Sequence, residues 1–416
     1  MKLYERVSKI HMKTENRKAL EYGILTMISM AAVLQLLFWF LGISLADANS
    51  YNTYALQADS WRQGRLDLGQ DYPWLELAIY RGKYFCSFPP FPSYILFPLT
   101  FIFGSNTPDY VLMVLFDLLL VLYLYRVALK LDIKVESAMI LTLFVTIGSN
   151  TLFIMVNPGV WFFAQLLCFL TTIMAIYYAY EGKGGVSFFF WAASVGCRPM
   201  QILFFPVLAL LLIEREKRKE KVFSAIKYIK KRWYWAMPPV AVAISYMLLN
   251  YLRFGSVLEF GRKYLPEFMR SEKGQFHVDY MKENLQSLLR MPQMNEEGEI
   301  IIDYFGNMNF MMVSPIILVA LGGLVFAHVK KDKNIIRMGW LIVLSSLMYI
   351  LFISAHRTLG GWQFGNRYTI DVLPYIFLLL CFVLGKYQKG IKYCIPFWLF
   401  GMGLNILGTV IVSRGW

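Results

Sequence analysis

The chain contains a tandem series of apolar runs, several of which approach or exceed the length that crosses a lipid bilayer. Roughly 18 to 20 apolar residues are needed to span the hydrocarbon core as a helix. Because lipid offers backbone groups no hydrogen-bond partners, tandem runs of this length cross as α-helices rather than as strands. Charged residues make up only 16% of the 416 residues, against about 25% in a typical soluble domain. The sequence therefore predicts an all-α polytopic membrane protein, with residues 1–416 forming a single membrane domain.

Basic residues indicate the orientation of the chain in the membrane. The formal net charge is +14, and Lys and Arg gather in the cytoplasmic loops of membrane proteins. The excess is therefore a topology signal, and no nucleic-acid partner is expected. Residues 1–21 hold six basic side chains and segment 214–232 holds nine, so both are predicted to be cytoplasmic. The large loop 253–308 has a net negative charge and is predicted to be extracytoplasmic.

Counting from a cytoplasmic N-terminus gives about eleven transmembrane helices and a C-terminus outside the cell membrane. Both ends of segment 186–213 must then be cytoplasmic. This segment is predicted to form two short helices hinged at Gly196-Cys197-Arg198-Pro199, which brings Arg198 near the outer face. The alternative is one long tilted helix with a miscounted turn elsewhere. The other spans are predicted at about 22–45, 109–129, 135–156, 158–179, 234–252, 310–328, 338–355, 371–385 and 393–412.

The first extracytoplasmic loop, residues 46–92, is the most polar stretch between the early spans. Helical spacing from Tyr54 to Trp61 predicts a short juxtamembrane helix lying at the interface, and a second is predicted around Trp74–Tyr80. The run Phe88-Pro-Pro-Phe-Pro cannot form a regular helix, because each proline lacks a donor and restricts its predecessor. The chain is expected to turn back toward the membrane there.

Three carboxylates of this loop are candidate catalytic residues: Asp47, Asp59 and Glu76. A carboxylate at the membrane boundary can act as a general base that removes a proton from an attacking hydroxyl. Asp47 and Asp59 together could also hold a divalent cation, Mg²⁺ or Mn²⁺, through oxygen ligands. The structural alternative for each is a solvated loop acid.

Candidate substrate-binding residues lie on the predicted outer face. Arg198, Arg357 and Arg367 carry guanidinium groups, whose paired donors suit phosphate oxygens. Arginines at helix ends also reach lipid headgroups without any further role. An interfacial aromatic belt explains the aromatic candidates almost as well, and a structural role suits the histidine. The remaining candidates are Tyr80, Lys83, Tyr84, His356, Trp362 and Tyr368.

Motifs that would place a nucleotide or a metalloprotease centre in the chain are missing. The sequence has no P-loop, GxGxxG, HExxH or GxSxG in a usable setting, and its five cysteines form no CxxC pair. Segment 214–232 is more simply explained as an element that contacts membrane lipids than as an RNA-binding patch.

Four stretches together resemble the integral-membrane glycosyltransferases of the GT-C superfamily, in particular the protein mannosyltransferase-like group. They are YNTYALQADSWRQGRLDL with LAIYRGKYFCSFPPFPSYILFPL, then ASVGCRPMQILFFP, NYLRFGSVLEFG and GGWQFGNRYTIDVLP. They cover much of the chain in the same order as in the family. The match as a set is far more specific than any one of them.

The resemblance implies a polyprenyl-phosphate sugar donor, transfer with inversion, and a catalytic acid in the first outer loop. It assigns this acid to Asp47 or Asp59, and the basic positions that hold the donor phosphate to Arg198 and Arg367. Many relatives have adjacent acids just after the first helix, whereas Ala48 follows Asp47 here. The identity of the base and any metal therefore stay open.

The sequence thus predicts a glycosyltransferase that moves a sugar from a polyprenyl-phosphate carrier to a hydroxyl of a glycan, lipid or protein acceptor. The alternative is a lipid-linked saccharide flippase or transporter, which predicts charged residues deep in the membrane and pseudo-symmetric repeats. A scaffold without catalytic activity is a third reading. It is disfavoured because acids and arginines gather on one face.

Overall fold

The computed structural model describes residues 2–218, 224–294, 296–298 and 300–415, most of which are helical. Seven helices in this described part are long and apolar enough to cross a membrane, and the chain is a multi-pass membrane protein. They run over Glu15–Leu41, Asp109–Lys130, Val160–Glu181, Ile226–Phe254, Lys333–Ser354, Arg367–Lys386 and Gln388–Arg414. Shorter apolar helices lie at Phe91–Phe103, Val135–Thr146, Gly184–Val195 and Ile316–Val329.

Several of these segments have internal boundaries. The first helix extends over Lys2–Leu41, and three of the long segments begin with a short helical turn or helix of their own. Ile226–Phe254 contains Ala225–Arg232, the 3₁₀ turn Trp233–Ala236 and Met237–Phe254. The last two segments begin with the 3₁₀ turns Arg367–Val372 and Gln388–Gly390, followed by Leu373–Lys386 and Ile391–Arg414.

Helices Val160–Glu181 and Leu373–Lys386 form the centre of the bundle. Most side chains of both are buried, as expected for helices that are hydrophobic on all sides. Val160–Glu181 packs against Asp109–Lys130 on one side and Gly184–Val195 on another.

The hinge predicted at Gly196–Pro199 is present. Helix Gly184–Val195 ends there, the 3₁₀ turn Pro199–Phe204 follows, and helix Phe205–Lys217 continues the chain. Arg198 has extended backbone angles (φ −139°, ψ 101°), as expected for a residue before proline. A Cβ atom at Gly196 would lie 2.0 Å from the Tyr246 hydroxyl, so the close packing there requires glycine.

Three predicted helices differ in the structure, and one of them is the span predicted at 310–328, which is broken into Phe310–Val313 and Ile316–Val329. The span predicted at 135–156 is broken into Val135–Thr146 and Thr151–Met155, separated by the Gly148-Ser149-Asn150 stretch. The predicted helix around Trp74–Tyr80 is wrong, because Leu77–Tyr80 pairs with Lys83–Cys86 as an antiparallel hairpin.

The hairpin follows from its turn. Arg81 and Gly82 both have positive φ (50° and 72°), which is the geometry of the two-residue turns that match the twist of paired strands. The first loop also contains the helix Thr53–Arg62, at the position where a helix was predicted from Tyr54 to Trp61. Tyr54 and Ala58 of this helix are buried.

A buried arginine joins the first outer loop to a later helix. Arg253, at the end of helix Met237–Phe254, donates to the Gln57 side chain at 3.0 Å and the Cys86 carbonyl oxygen at 3.1 Å. It also donates to Asn250 at 3.0 Å. Burying a charge is costly unless hydrogen bonds compensate, so these bonds fix the loop against the helix.

The large outer loop has short elements. They are the 3₁₀ turn Arg262–Tyr264, helices Pro266–Met269 and Tyr280–Leu289, strands Gln293–Met294 and Ile300–Ile301, and helix Phe310–Val313. Four charged residues used in the charge analysis lie outside the described residues. They are Lys219, Glu220 and Lys221 of segment 214–232, and Glu299 of loop 253–308.

Replacing Arg253 with Met is expected to lower the free energy of unfolding by about 2–4 kcal/mol, because it leaves buried polar partners unsatisfied. Thermal unfolding in detergent measures the effect. Arg270→Met, at an exposed arginine of the large loop, is the matched control. Equal unfolding temperatures for the two variants would contradict the anchoring role.

Candidate functional site

Two adjoining cavities open between loop 46–92, the hinge, loop 253–308 and residues 355–371. One has a volume of about 410 Å³ and the other of about 840 Å³. Four side chains line both of them: Trp161, Arg262, Arg367 and Tyr368. Two cations and two aromatic rings therefore form the boundary between the cavities.

The smaller cavity is largely apolar. Phe88, Met200, Leu258, Phe276 and Phe352 are among its lining residues. Leu258, Phe276 and Phe352 are also exposed on the outer surface of the protein. An apolar chain can therefore enter this cavity from the side, with its polar end at the shared arginines.

The larger cavity is the more polar of the two, and its lining includes two carboxylates. Glu76 and Glu267 both line it, and Glu76 lies 3.5 Å from the guanidinium of Arg262. Burial, followed by the nearby charge of Glu76, raises the pKa of Glu267. Of the three loop acids predicted as catalytic, Glu76 is the one that reaches a cavity.

Arg367 combines burial with an unsatisfied donor. Its side chain is 5% exposed, and its Nη1 makes no hydrogen bond to any described residue. Its guanidinium carbon lies 5.7 Å from the Phe162 ring and 4.9 Å from the Tyr368 ring, which partly stabilise the charge. A buried cation with a free donor that lines two cavities is suited to bind an anion there.

Arg262 is the second cation at this boundary. Its guanidinium lies over Phe88 and Phe268 at 5.5 and 5.4 Å, and its only close carboxylate among the described residues is Glu76. These contacts hold the guanidinium between the cavities while leaving most of its donors available.

Arg198 is neutralised by Asp371. Its Nε donates to Asp371 Oδ2 at 2.8 Å, and Asp371 also accepts from Tyr349 at 2.7 Å and Gln165 at 2.8 Å. Arg198 also lies 4.7 Å from the Tyr368 ring. It lines the apolar cavity, but its charge is already paired, so it orients Tyr368 more than it attracts an anion.

His356 lines the apolar cavity and is held on both ring nitrogens. Nδ1 lies 2.6 Å from the Thr358 carbonyl oxygen, and Nε2 lies 3.2 Å from the Gln275 amide. Burial, and next the charge of Arg262, lower the pKa of His356 to about 4. The imidazole is therefore neutral at pH 7 and adds no positive charge to the site.

Neither Asp47 nor Asp59 lines either cavity, although Ala48, next to Asp47 in the chain, lines the larger one. Asp47 is exposed and accepts from the Ser44 backbone N–H at 2.7 Å. Asp59 is bound by Arg62 and Gln63 on its own helix, at 2.8–2.9 and 2.7 Å. Each carboxylate is engaged locally, and neither lines a cavity with the other.

Four of the other candidates also lie outside the cavities. Arg357 is exposed and donates to the Glu267 carbonyl oxygen. Tyr80 packs on Phe254 and Tyr264, while Lys83 pairs with Asp67 at 3.2 Å. Tyr84 packs against the small cluster formed by Leu68, Leu75 and Leu77. Trp362 and Tyr368, in contrast, line the polar cavity.

The structure adds site residues that the sequence did not single out. Trp161, Arg262, Glu267 and Asp371 all line a cavity. Arg262 directly follows the NYLRFGSVLEFG stretch, and Asp371 lies within GGWQFGNRYTIDVLP, so the resemblance already indicated their neighbourhood. Glu267 carries no such signal, because its loop resembles ordinary polar sequence.

The described residues contain no group of three or more His, Cys, Asp or Glu side chains able to hold a metal ion. Asp47 and Asp59, the predicted ligands, bind separate partners. These two residues therefore do not fit the predicted Mg²⁺ or Mn²⁺ site.

Comparisons with known proteins identify the fold. The chain is similar to ArnT from Cupriavidus metallidurans bound to undecaprenyl phosphate, with a TM-score of 0.50 and 13% identity over 90% of this chain and 63% of that one. For apo ArnT from the same organism, the TM-score is 0.51 at 10% identity, over 94% and 76% of the two chains. The apo oligosaccharyltransferase of Archaeoglobus fulgidus gives a TM-score of 0.48 at 12% identity, over 95% and 56%.

The two ArnT structures show that this chain has the ArnT fold. The chain spans less than two thirds of the length of the first of them. No protein-family model and no curated protein sequence matches the chain.

Acidification is expected to destabilise the protein through His356. The pKa of His356 is about 4 when folded and near 6.5 in an unfolded chain, so only the unfolded chain gains this proton between these values. The free energy of unfolding therefore falls as pH drops from 6.5 toward 4, and above pH 6.5 this group makes no difference.

His356→Gln removes this contribution. Between pH 7 and pH 4.5, the free energy of unfolding is expected to fall by about 2–3 kcal/mol more in the wild type than in the variant. Thermal unfolding at both pH values measures the difference. His277, which is half-buried and lies in the large loop, is changed to Gln as a control for loss of a histidine. If the wild type and His356→Gln lose the same stability between the two pH values, burial does not lower the pKa of His356.

Proposed function

We propose that this protein is a glycosyltransferase that moves a sugar from a polyprenyl-phosphate carrier to an acceptor hydroxyl, with inversion at the anomeric carbon. The observation that carries this proposal is the arginine boundary between an apolar and a polar cavity. A lipid-phosphate sugar has the same order of parts: an apolar chain, an anionic phosphate and a polar sugar.

The donor is proposed to lie across this boundary. The polyprenyl chain enters the apolar cavity past the exposed Leu258, Phe276 and Phe352. The phosphate is bound by Arg262 and by the free donor of Arg367, and the sugar occupies the polar cavity. ArnT, which has this fold, was solved with undecaprenyl phosphate bound, which supports a carrier of this class here.

The catalytic base is proposed to be Glu76. Its carboxylate removes the proton from the acceptor hydroxyl as the hydroxyl oxygen attacks the anomeric carbon. The bond between that carbon and the phosphate oxygen breaks, and both electrons leave with the phosphate. Arg262 and Arg367 stabilise the charge that develops on this leaving group. Attack from the side opposite the phosphate inverts the anomeric carbon.

The topology of this proposal follows the basic segments. The N-terminus and segment 214–232 are cytoplasmic, the chain crosses the cell membrane about eleven times, and the site faces outside. A polyprenyl-phosphate donor on that face requires no nucleotide-binding site.

Glu76→Gln is expected to lower sugar transfer by roughly 10²- to 10⁴-fold, the range that a general base contributes. Purified protein in liposomes is given a panel of polyprenyl-phosphate sugars and acceptors with Mg²⁺, Mn²⁺ or EDTA, and release of polyprenyl phosphate is measured. Asp59→Asn is the matched control, and Asp47→Asn tests the remaining predicted acid. Normal turnover by Glu76→Gln would reject Glu76 as the base.

The same liposomes separate the proposed function from the transporter alternative. Wild-type protein that releases no polyprenyl phosphate from any donor, but moves labelled lipid-linked saccharide across the bilayer, would be a flippase. Release together with a new glycosidic bond supports the transferase.

Arg367→Gln is expected to weaken donor binding by roughly tenfold or more, because hydrogen bonds to charged groups contribute about 1.5–3 kcal/mol. Binding of polyprenyl phosphate is measured directly, without turnover. Arg65→Gln, at an exposed arginine of the first loop, is the matched control. If Arg367→Gln binds polyprenyl phosphate with unchanged affinity, the phosphate does not bind at the shared boundary.

A further inference from the structure

The polar cavity continues outward into a third space, a groove of about 590 Å³. Asn49, Ser50 and Tyr51 line both the cavity and the groove. The proposed donor occupies the two inner cavities and leaves this groove unused. The residues that line it are Asn49, Ser50, Tyr51, Asn52, Leu56, Tyr72, Trp74, Ser105 and Asn106.

Trp74 presents a fixed aromatic face in this groove. Its side chain is 58% exposed, yet its indole N–H donates to the Ser50 carbonyl oxygen at 3.0 Å. The Tyr72 ring packs against it edge-on at 5.7 Å. A large exposed ring that is already oriented loses little conformational freedom when a ligand packs on it.

The groove is also uncharged. None of the described residues that line it is Asp, Glu, Lys or Arg, although the neighbouring polar cavity has carboxylates and arginines. Its polar groups are amides and hydroxyls, which both donate and accept hydrogen bonds. An anionic ligand would need cationic partners, so this lining favours a neutral ligand that is rich in hydroxyl groups.

Aromatic rings lead from the groove to the site. Tyr51 lines the groove and lies 5.2 Å from Trp161, which lines both inner cavities. A chain of sugar rings can pack its C–H faces on such rings while its hydroxyls bind the amides beside them.

We propose that this groove binds a neutral oligosaccharide whose terminal sugar extends into the polar cavity beside Glu76. The acceptor is then a glycan chain rather than a lipid or a peptide. This inference rests on the proposed function for the role of the glycan, but binding in the groove is a separate property.

The test measures binding without the donor. The full chain in nanodiscs is mixed with a series of neutral oligosaccharides, from mono- to hexasaccharides of glucose, mannose and galactose, and contacts are followed by saturation-transfer NMR. We expect affinity to rise with chain length, and Trp74→Ala and Tyr72→Ala each to weaken binding by roughly tenfold. Trp39→Ala is the matched control, because Trp39 is 76% exposed and lines none of the three spaces.

The outcomes separate this inference from the proposed function. Saccharide binding that depends on Trp74, without any donor turnover, would support the groove and reject the transferase. Donor turnover without saccharide binding, or binding that Trp74→Ala leaves unchanged, would overturn the groove assignment. A further measurement places brominated lipids in the nanodisc and follows the tryptophan fluorescence that Trp74 contributes. If these lipids quench it and saccharides give no protection, the ring belongs to an interfacial aromatic belt. That result also overturns the inference.

Discussion

The buried carboxylate of Asp371 holds one end of the helix bundle together. It accepts hydrogen bonds from Arg198, Gln165 and Tyr349, which lie on the hinge, the central helix and helix Lys333–Ser354. Its backbone oxygen accepts from Gln201 at 3.0 Å. Removing one member of such a buried charge network leaves another charge without compensation. The wall of the smaller cavity, which Asp371, Arg198 and Tyr349 line, therefore depends on this one carboxylate remaining fully bonded.

The pairing of Asp371 with Arg198 also determines which charge is available to a ligand. With Arg198 neutralised, the boundary between the cavities retains Arg367, buried with an unsatisfied donor, and Arg262, whose partner Glu76 lies 3.5 Å away. His356 is neutral at pH 7 because burial and Arg262 lower its pKa. The positive charge is thus concentrated where an apolar space meets a polar one, in a setting where water screens it weakly.

The sequence was most informative where a physical pattern extends over many residues. Apolar runs and basic loops predicted a polytopic helical protein. The Gly196-Cys197-Arg198-Pro199 stretch predicted the hinge that brings Arg198 to the smaller cavity. Pairing was harder to predict. A helix was predicted around Trp74–Tyr80, but the Arg81-Gly82 turn produces a hairpin. The contacts of Asp59 with Arg62 and Gln63 are three and four residues apart in the chain, so they could have been expected from the sequence. Which acid lines a cavity depends on tertiary packing and could not be predicted.

The shared wall of the two inner cavities links their occupancy. Trp161, Arg262, Arg367 and Tyr368 line both spaces, so a ligand that reorients any of them from one side changes the surface offered on the other. Such coupling between binding sites is thermodynamically reciprocal. If a ligand in one cavity changes the affinity for a second ligand in the other, the second ligand changes the affinity for the first by the same factor. The affinities of the two cavities for their ligands are therefore coupled through the same four side chains that divide them.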